Sequence, residues 1–195
     1  MDTLTEPTET PEPKETKPSN YKKELIIGSI VVVAVALIVT GIVWAINNSG
    51  PKIDYQPAVA CELLTLDEAK ELMGNNAVGS AVTAPVISGD ISTSKCGYTD
   101  GNTDTANLIV AAINVRSAIN DKGVEQNKTE FTKGTPEENV VIVNGLGDKA
   151  YFNEANGMLN VLDGKNWILI SYGPGSDPAA NTLEDAAELA QKVIN

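Results

Sequence analysis

Apolar residues fall into three regimes along the chain. Residues 1–20 (MDTLTEPTETPEPKETKPSN) contain almost none, and residues 25–46 are uncharged and mostly apolar. From residue 61 onward, apolar positions recur in short bursts between Gly, Asn, Asp and Pro. A segment as polar as the first cannot bury enough surface to offset its ordering entropy, so residues 1–24 are expected as a disordered tail. The run from Leu25 to Ile46 contains no proline. At ~1.5 Å per helical residue it covers about 33 Å, against a hydrocarbon core of ~30 Å. It is expected as a single transmembrane signal-anchor helix whose partner is the lipid bilayer. Residues 47–60 (NNSGPKIDYQPAVA) carry Gly50-Pro51 and Pro57 and read as a linker.

The remaining residues, 61–195, read as one domain. Thr65-Leu-Asp-Glu68 is a capping box, Leu66, Ala69, Leu72 and Met73 mark one helical face, and Gly74 supplies a stop. A helix over 65–73 follows. Ala81–Ser88 and Ile91–Tyr98 pair across Gly89-Asp90 as a hairpin, with Pro85 confining the first strand to a sheet edge. Leu108–Val115 is a near-continuous apolar run, as expected of a strand central in a sheet or covered on both faces. Residues 117–133 are polar and read as a weak short helix or loop, with Val124 and Phe131 as anchors.

Val140–Val143, Lys149–Asn153, Met158–Leu162 and Asn166–Tyr172 form a meander, punctuated by Gly145-Leu-Gly147-Asp148, Asn156-Gly157 and Asp163-Gly164. A closing helix starts near Thr182, its stripe made by Leu183, Ala186, Ala187, Ala190, Val193 and Ile194. The fold class is α+β: a mostly antiparallel sheet flanked by an N-terminal and a C-terminal helix, preceded by one transmembrane helix.

Charge sets the expected topology. Lys14, Lys17, Lys22 and Lys23 precede the span, whereas Lys52 stands alone within twenty residues after it. This bias places the N-terminus in the cytoplasm and the C-terminal domain outside the cell membrane. Tyr21 and Trp44 suit the two interfaces. A cleaved secretory signal is disfavoured by the length of the apolar core and by the acidic tail before it. Ala58-Val59-Ala60-Cys61 has the look of a lipoprotein processing box. It stands more than ten residues beyond the apolar core, however, and lipidation of Cys61 would leave Cys96 unpaired.

The net charge is −12, and residues 51–195 carry twenty acidic and ten basic side chains. Phosphate contact needs a basic surface, so no nucleic-acid partner is expected. The chain has no histidine, which removes the commonest general base and metal ligand. Two cysteines on the outer side of a membrane read as one disulfide, Cys61–Cys96. A redox or catalytic thiol lacks both a histidine partner and a Cys-x-x-Cys spacing.

Candidate chemistry is sparse. Asp100-Gly-Asn102-Thr-Asp104 imitates the start of a calcium loop, but Thr105 and Ala111 stand where Gly and Glu are required. Gly145-Leu-Gly147-Asp148 lacks the Gly-Lys-Ser/Thr of a phosphate cradle. The pairs Asp67/Glu68 and Glu137/Glu138 read as solvated faces. Tyr151, Phe152, Trp167 and Tyr172 are candidates for lining a ligand groove. The tail threonines Thr5, Thr8, Thr10 and Thr16 offer phosphorylation positions. No catalytic residue, metal or cofactor is assigned.

Cys61-Glu-Leu-Leu-Thr65, the helix ending at Gly74, Cys96-Gly-Tyr98, Gly145 to Tyr151 and the closing Ala-rich helix together resemble an uncharacterised extracytoplasmic domain of actinobacterial cell-envelope lipoproteins. This chain departs from that pattern in carrying a membrane span instead of a lipidated cysteine. The resemblance implies a tethered domain and no enzymatic activity. The expected function is therefore a membrane-anchored, non-enzymatic domain for envelope-associated binding or protein interaction. The alternatives are a sensor signalling through its short N-terminal tail and a carboxylate-dependent envelope hydrolase.

Overall fold

The computed structural model describes residues 50–135 and 138–194. The expected tail (1–24) and membrane span (25–46) lie outside the described residues. Among the described residues, no helix is long and apolar enough to cross a membrane.

Residues 51–195 form one compact α+β unit built on a seven-stranded antiparallel sheet. The elements are α1 (Ala60–Leu63), α2 (Leu66–Met73), β1 (Val78–Ser88), β2 (Ile91–Thr99), β3 (Ile109–Ala118), α3 (Asp121–Gly134), β4 (Val140–Val143), β5 (Lys149–Asn153), β6 (Met158–Asp163), β7 (Asn166–Pro174), a 3-10 turn (Pro178–Ala180) and α4 (Leu183–Val193). Spatial order is β1-β2-β3-β7-β6-β5-β4. Two meanders, β1 to β3 and β4 to β7, are therefore joined edge to edge at the β3–β7 ladder. That ladder runs in register from Ile109↔Pro174 to Ser117↔Asn166.

Local chemistry accounts for most of these elements. Thr65 caps α2 by accepting from the Glu68 amide, while the Glu68 carboxylate accepts from the Thr65 amide at 2.6 Å. The two-residue turns Gly89-Asp90 and Gly164-Lys165 each place the glycine at positive φ (+60° and +55°). That is the geometry a tight hairpin demands of its first turn residue. Thr182 caps α4 through the Asp185 amide at 3.1 Å.

Side-chain alternation divides the sheet into two faces. One face carries the main core: Cys96, Ile113, Val115, Phe152, Leu159, Val161, Ile168 and Ile170 pack beneath α1, α2 and the Ala186–Leu189–Ala190–Val193 stripe of α4. The other face carries a smaller cluster of Phe131, Tyr151 and Leu162, with Val140 and Trp167 against it, where α3 lies.

Three features differ from expectation. The weak helix or loop over 117–133 is instead a strand end followed by the 14-residue α3. Its inward face is Gly123, Asn127 and Phe131, at a spacing of four, with Val124 half-buried. Residues 54–60, expected as linker, lie on the domain: the Asp54 amide donates to Ile119 O at 2.7 Å, Ala58 to Ser117 Oγ at 3.0 Å and Ala60 to Ser94 Oγ at 2.9 Å. Finally, β1 begins at Val78 and is exposed along all its length, with register shifts after Gly79 and after Thr83. The second shift brackets Pro85, which has no N–H to give to a ladder.

Candidate functional site

The disulfide is formed between Cys61 and Cys96, with Cα atoms 5.1 Å apart. It fastens α1 to the middle of β2, and Cys96 is fully buried.

The four aromatic residues expected to line one groove do not share one. Tyr151 and Phe152 are neighbours on β5, so their side chains leave opposite faces of the sheet. Phe152 belongs to the main core, and Tyr172 packs against that core on the same face. The Tyr172 hydroxyl donates to Leu72 O at 3.1 Å, tying β7 to the end of α2, and burial pushes its pKa up. Tyr151 and Trp167 stand on the other face around Phe131, with ring centroids 4.9 Å and 6.2 Å from the Phe131 ring. The Trp167 indole donates to Asn160 Oδ1 at 3.1 Å.

Beside this cluster lies a cavity of about 250 Å³ between the end of α3 and the β4–β5 turn, lined in part by Phe131, Thr135, Ile142, Leu146, Lys149 and Tyr151. The Gly145-Leu-Gly147-Asp148 turn lines part of it. Asp148 is held there by accepting the Gly164 amide at 2.8 Å. A side chain at Gly147, which has φ +57°, would meet Leu162 O and Val161 Cγ1 at 2.7 Å. Close contact thus bars a side chain at Gly147, and the Asp148 amide donates to Leu162 O at 2.8 Å.

The other sequence candidates are accounted for by local bonding. Asp100, Asn102 and Asp104 each accept the amide two residues on, at 3.1, 3.0 and 3.0 Å, making a chain of side-chain turns in the β2–β3 loop. Glu68 is committed to the α2 cap, and Glu138 is exposed ahead of β4. Glu137 lies outside the described residues. Among the described residues, no three His, Cys, Asp or Glu side chains gather as metal ligands.

The sequence reading passed over Arg116, the chain's one arginine. On β3 it faces Trp167 of β7, with Cζ 4.9 Å from the ring centroid. Its Nε is buried without a hydrogen-bond partner, as is Oδ1 of Asn114 two residues earlier on the same face. Among the described residues, Arg116 is in no ion pair. The signal in the sequence was the alternation Asn114-Val115-Arg116 at the end of an apolar run, where polar groups enter a central strand. No family model matches the chain, and no curated protein or solved structure matches it.

Proposed function

We propose that this is a single-pass membrane protein that displays a non-enzymatic α+β binding domain outside the cell, with residues 1–24 in the cytoplasm. The observation that carries the reading is the closed Cys61–Cys96 disulfide, in a chain that also contains the 22-residue uncharged run from Leu25 to Ile46. Disulfides persist in oxidising compartments, and the lysine bias ahead of the run favours an outer position for the domain. The resemblance to envelope lipoprotein domains points the same way. A hydrolase built on paired carboxylates gains no support, because Glu68 is occupied in a helix cap and Glu138 is exposed.

The test is a topology assay on the full chain in cells. Alkaline phosphatase fused after Asn195 should be active, and fusion ahead of Met1 should be inactive. The protein should also shift in a non-reducing gel when treated with reductant. An inactive C-terminal fusion, or free thiols at Cys61 and Cys96 in untreated cells, would overturn the reading.

A further inference from the structure

We propose that Asn144, in the turn between β4 and β5, is a self-modifying site. Its side-chain amide is displaced by the Gly145 main-chain nitrogen, and water then leaves an aspartate or isoaspartate in its place. This chemistry goes beyond the binding reading and is the same on either side of a membrane.

The reaction needs an Asn or Asp whose successor does not crowd the attack, and glycine, with no side chain, crowds it least. The Gly145 nitrogen gives up its proton to hydroxide and attacks Asn144 Cγ. The new N–Cγ bond closes a five-membered imide, the Cγ–Nδ2 bond breaks, and ammonia leaves after taking a proton from water. Water then opens the imide. Opening at Cγ gives aspartate, whereas opening at the main-chain carbonyl gives isoaspartate, with an added CH2 in the backbone. In sum a water is consumed and an ammonia released, with no change of oxidation state.

The chain offers four such pairs: Asp100-Gly101, Asn144-Gly145, Asn156-Gly157 and Asp163-Gly164. Three of them are restrained. Asp100 Oδ1 accepts the Asn102 amide at 3.1 Å, and a Cβ on Gly101 would meet Asn76 O at 2.5 Å. The Gly164 amide, the nucleophile that Asp163 would need, donates to Asp148 Oδ2 at 2.8 Å. Asn156 Oδ1 accepts the Met158 amide at 3.1 Å, while Gly157 is buried and its carbonyl accepts from Asn181 Nδ2 at 3.3 Å. A Cβ on Gly157 would collide with Pro178 O, so the backbone there has no room to swing.

Asn144-Gly145 has none of these restraints. Both residues are exposed, and Gly145 sits at φ +79° with no atom within 4 Å of where a Cβ would stand. Among the described residues, no side-chain hydrogen bond engages Asn144 and no turn hydrogen bond engages the Gly145 amide. Imide closure needs the main chain to rotate until that nitrogen meets Cγ. An exposed turn does so without opening the domain, whereas at the other pairs the restraint must open first. Asn144 also lines the cavity beside Phe131 and Tyr151, so the product places a new carboxylate on its wall.

The experiment incubates the full chain, folded in detergent, at mildly alkaline pH and follows each asparagine by peptide-mapping mass spectrometry. Aspartate and isoaspartate peptides are separated by chromatography. Asn144 should convert to a mixture of the two, at least about tenfold faster than Asn156. In urea with the disulfide reduced, the two Asn-Gly pairs should convert at rates within about threefold of each other, because only the fold distinguishes them. Asn144→Gln should abolish the first acidic form seen on isoelectric focusing.

Equal rates at Asn144 and Asn156 in the folded protein overturn the proposal, as does an Asn144 that stays intact while the unfolded chain converts. Aspartate without isoaspartate would mean direct hydrolysis and overturns the imide route. An early acidic form that persists in Asn144→Gln also overturns it.

Discussion

Cys61 and Cys96 are bonded to each other across 35 residues, joining the first short helix to the centre of β2. Their bond closes a loop that contains α2 and the whole of β1, an edge strand with no buried residue. In the chain-entropy account, a loop of this length contributes about 4 kcal/mol by restricting the unfolded chain.

The Cys61→Ala/Cys96→Ala double variant should therefore lose about 2–4 kcal/mol in urea unfolding. Reduction of the parent should lower its midpoint by a similar amount. Hydrogen exchange should rise first in β1, which lacks buried side chains to hold it. Equal stability of oxidised and reduced protein would show that the loop is already constrained by packing.

Lys192 on α4 reaches Glu71 on α2 at 2.7 Å, linking the two ends of the domain. Its side-chain hydrogen bond and charge lower the Glu71 pKa and raise that of Lys192. A depressed carboxylate pKa contributes stability that is present above the unfolded value and lost as pH falls through the folded one. A raised lysine pKa contributes stability that is present below the unfolded value and lost as pH rises through the folded one. The pair should therefore act between these limits, from above about pH 4.3 to below about pH 10.4. Glu71→Gln should flatten the acid limb of a melting-temperature profile, and the difference from the parent should shrink in 1 M salt. A difference that persists at high salt would mean the residue acts through something other than charge.

Gly123→Ala sets helix propensity against packing. Alanine is better than glycine inside a helix by ~1 kcal/mol. At this position its Cβ would come 2.2 Å from the Asp90 carbonyl oxygen and 3.0 Å from Ala118 Cβ. That carbonyl is held in place, since it accepts the Ile119 amide at 3.1 Å. Overpacking costs roughly 1–3 kcal/mol, so the contact should prevail and the variant should be less stable. A lowered urea midpoint with an unchanged slope is the expected record. A more stable variant would show that α3 can shift away from the β1–β2 turn at little cost.

Much of the fold was legible because its signals are local. The capping box at Thr65 and Glu68, the glycine turns at Gly89 and Gly164, and the stripe of α4 each depend on residues within a few positions of one another. Helix α3 was not legible as a full helix for a physical reason. Its inward face is a glycine, an asparagine and a phenylalanine, and Asn127 is buried because its side-chain amide donates to Arg116 O at 2.9 Å and Lys165 O at 3.1 Å. Hydropathy cannot register a buried position satisfied by distant carbonyls.

By itself the sequence determined the α+β class, the order of the strands along the chain, the capping box of α2, the start of α4 and the pairing of its two cysteines. Tertiary structure alone decided that β3 pairs with β7, that residues 54–60 lie on the domain, and that Tyr151 and Phe152 part to opposite faces with Trp167 and Tyr172. It also placed the single arginine over Trp167, on the face of the sheet where α3 packs. Turns and caps are set by bonds between near neighbours. Strand partners and buried faces are set by which distant surfaces exclude water together, and that is fixed only when the whole sheet has closed.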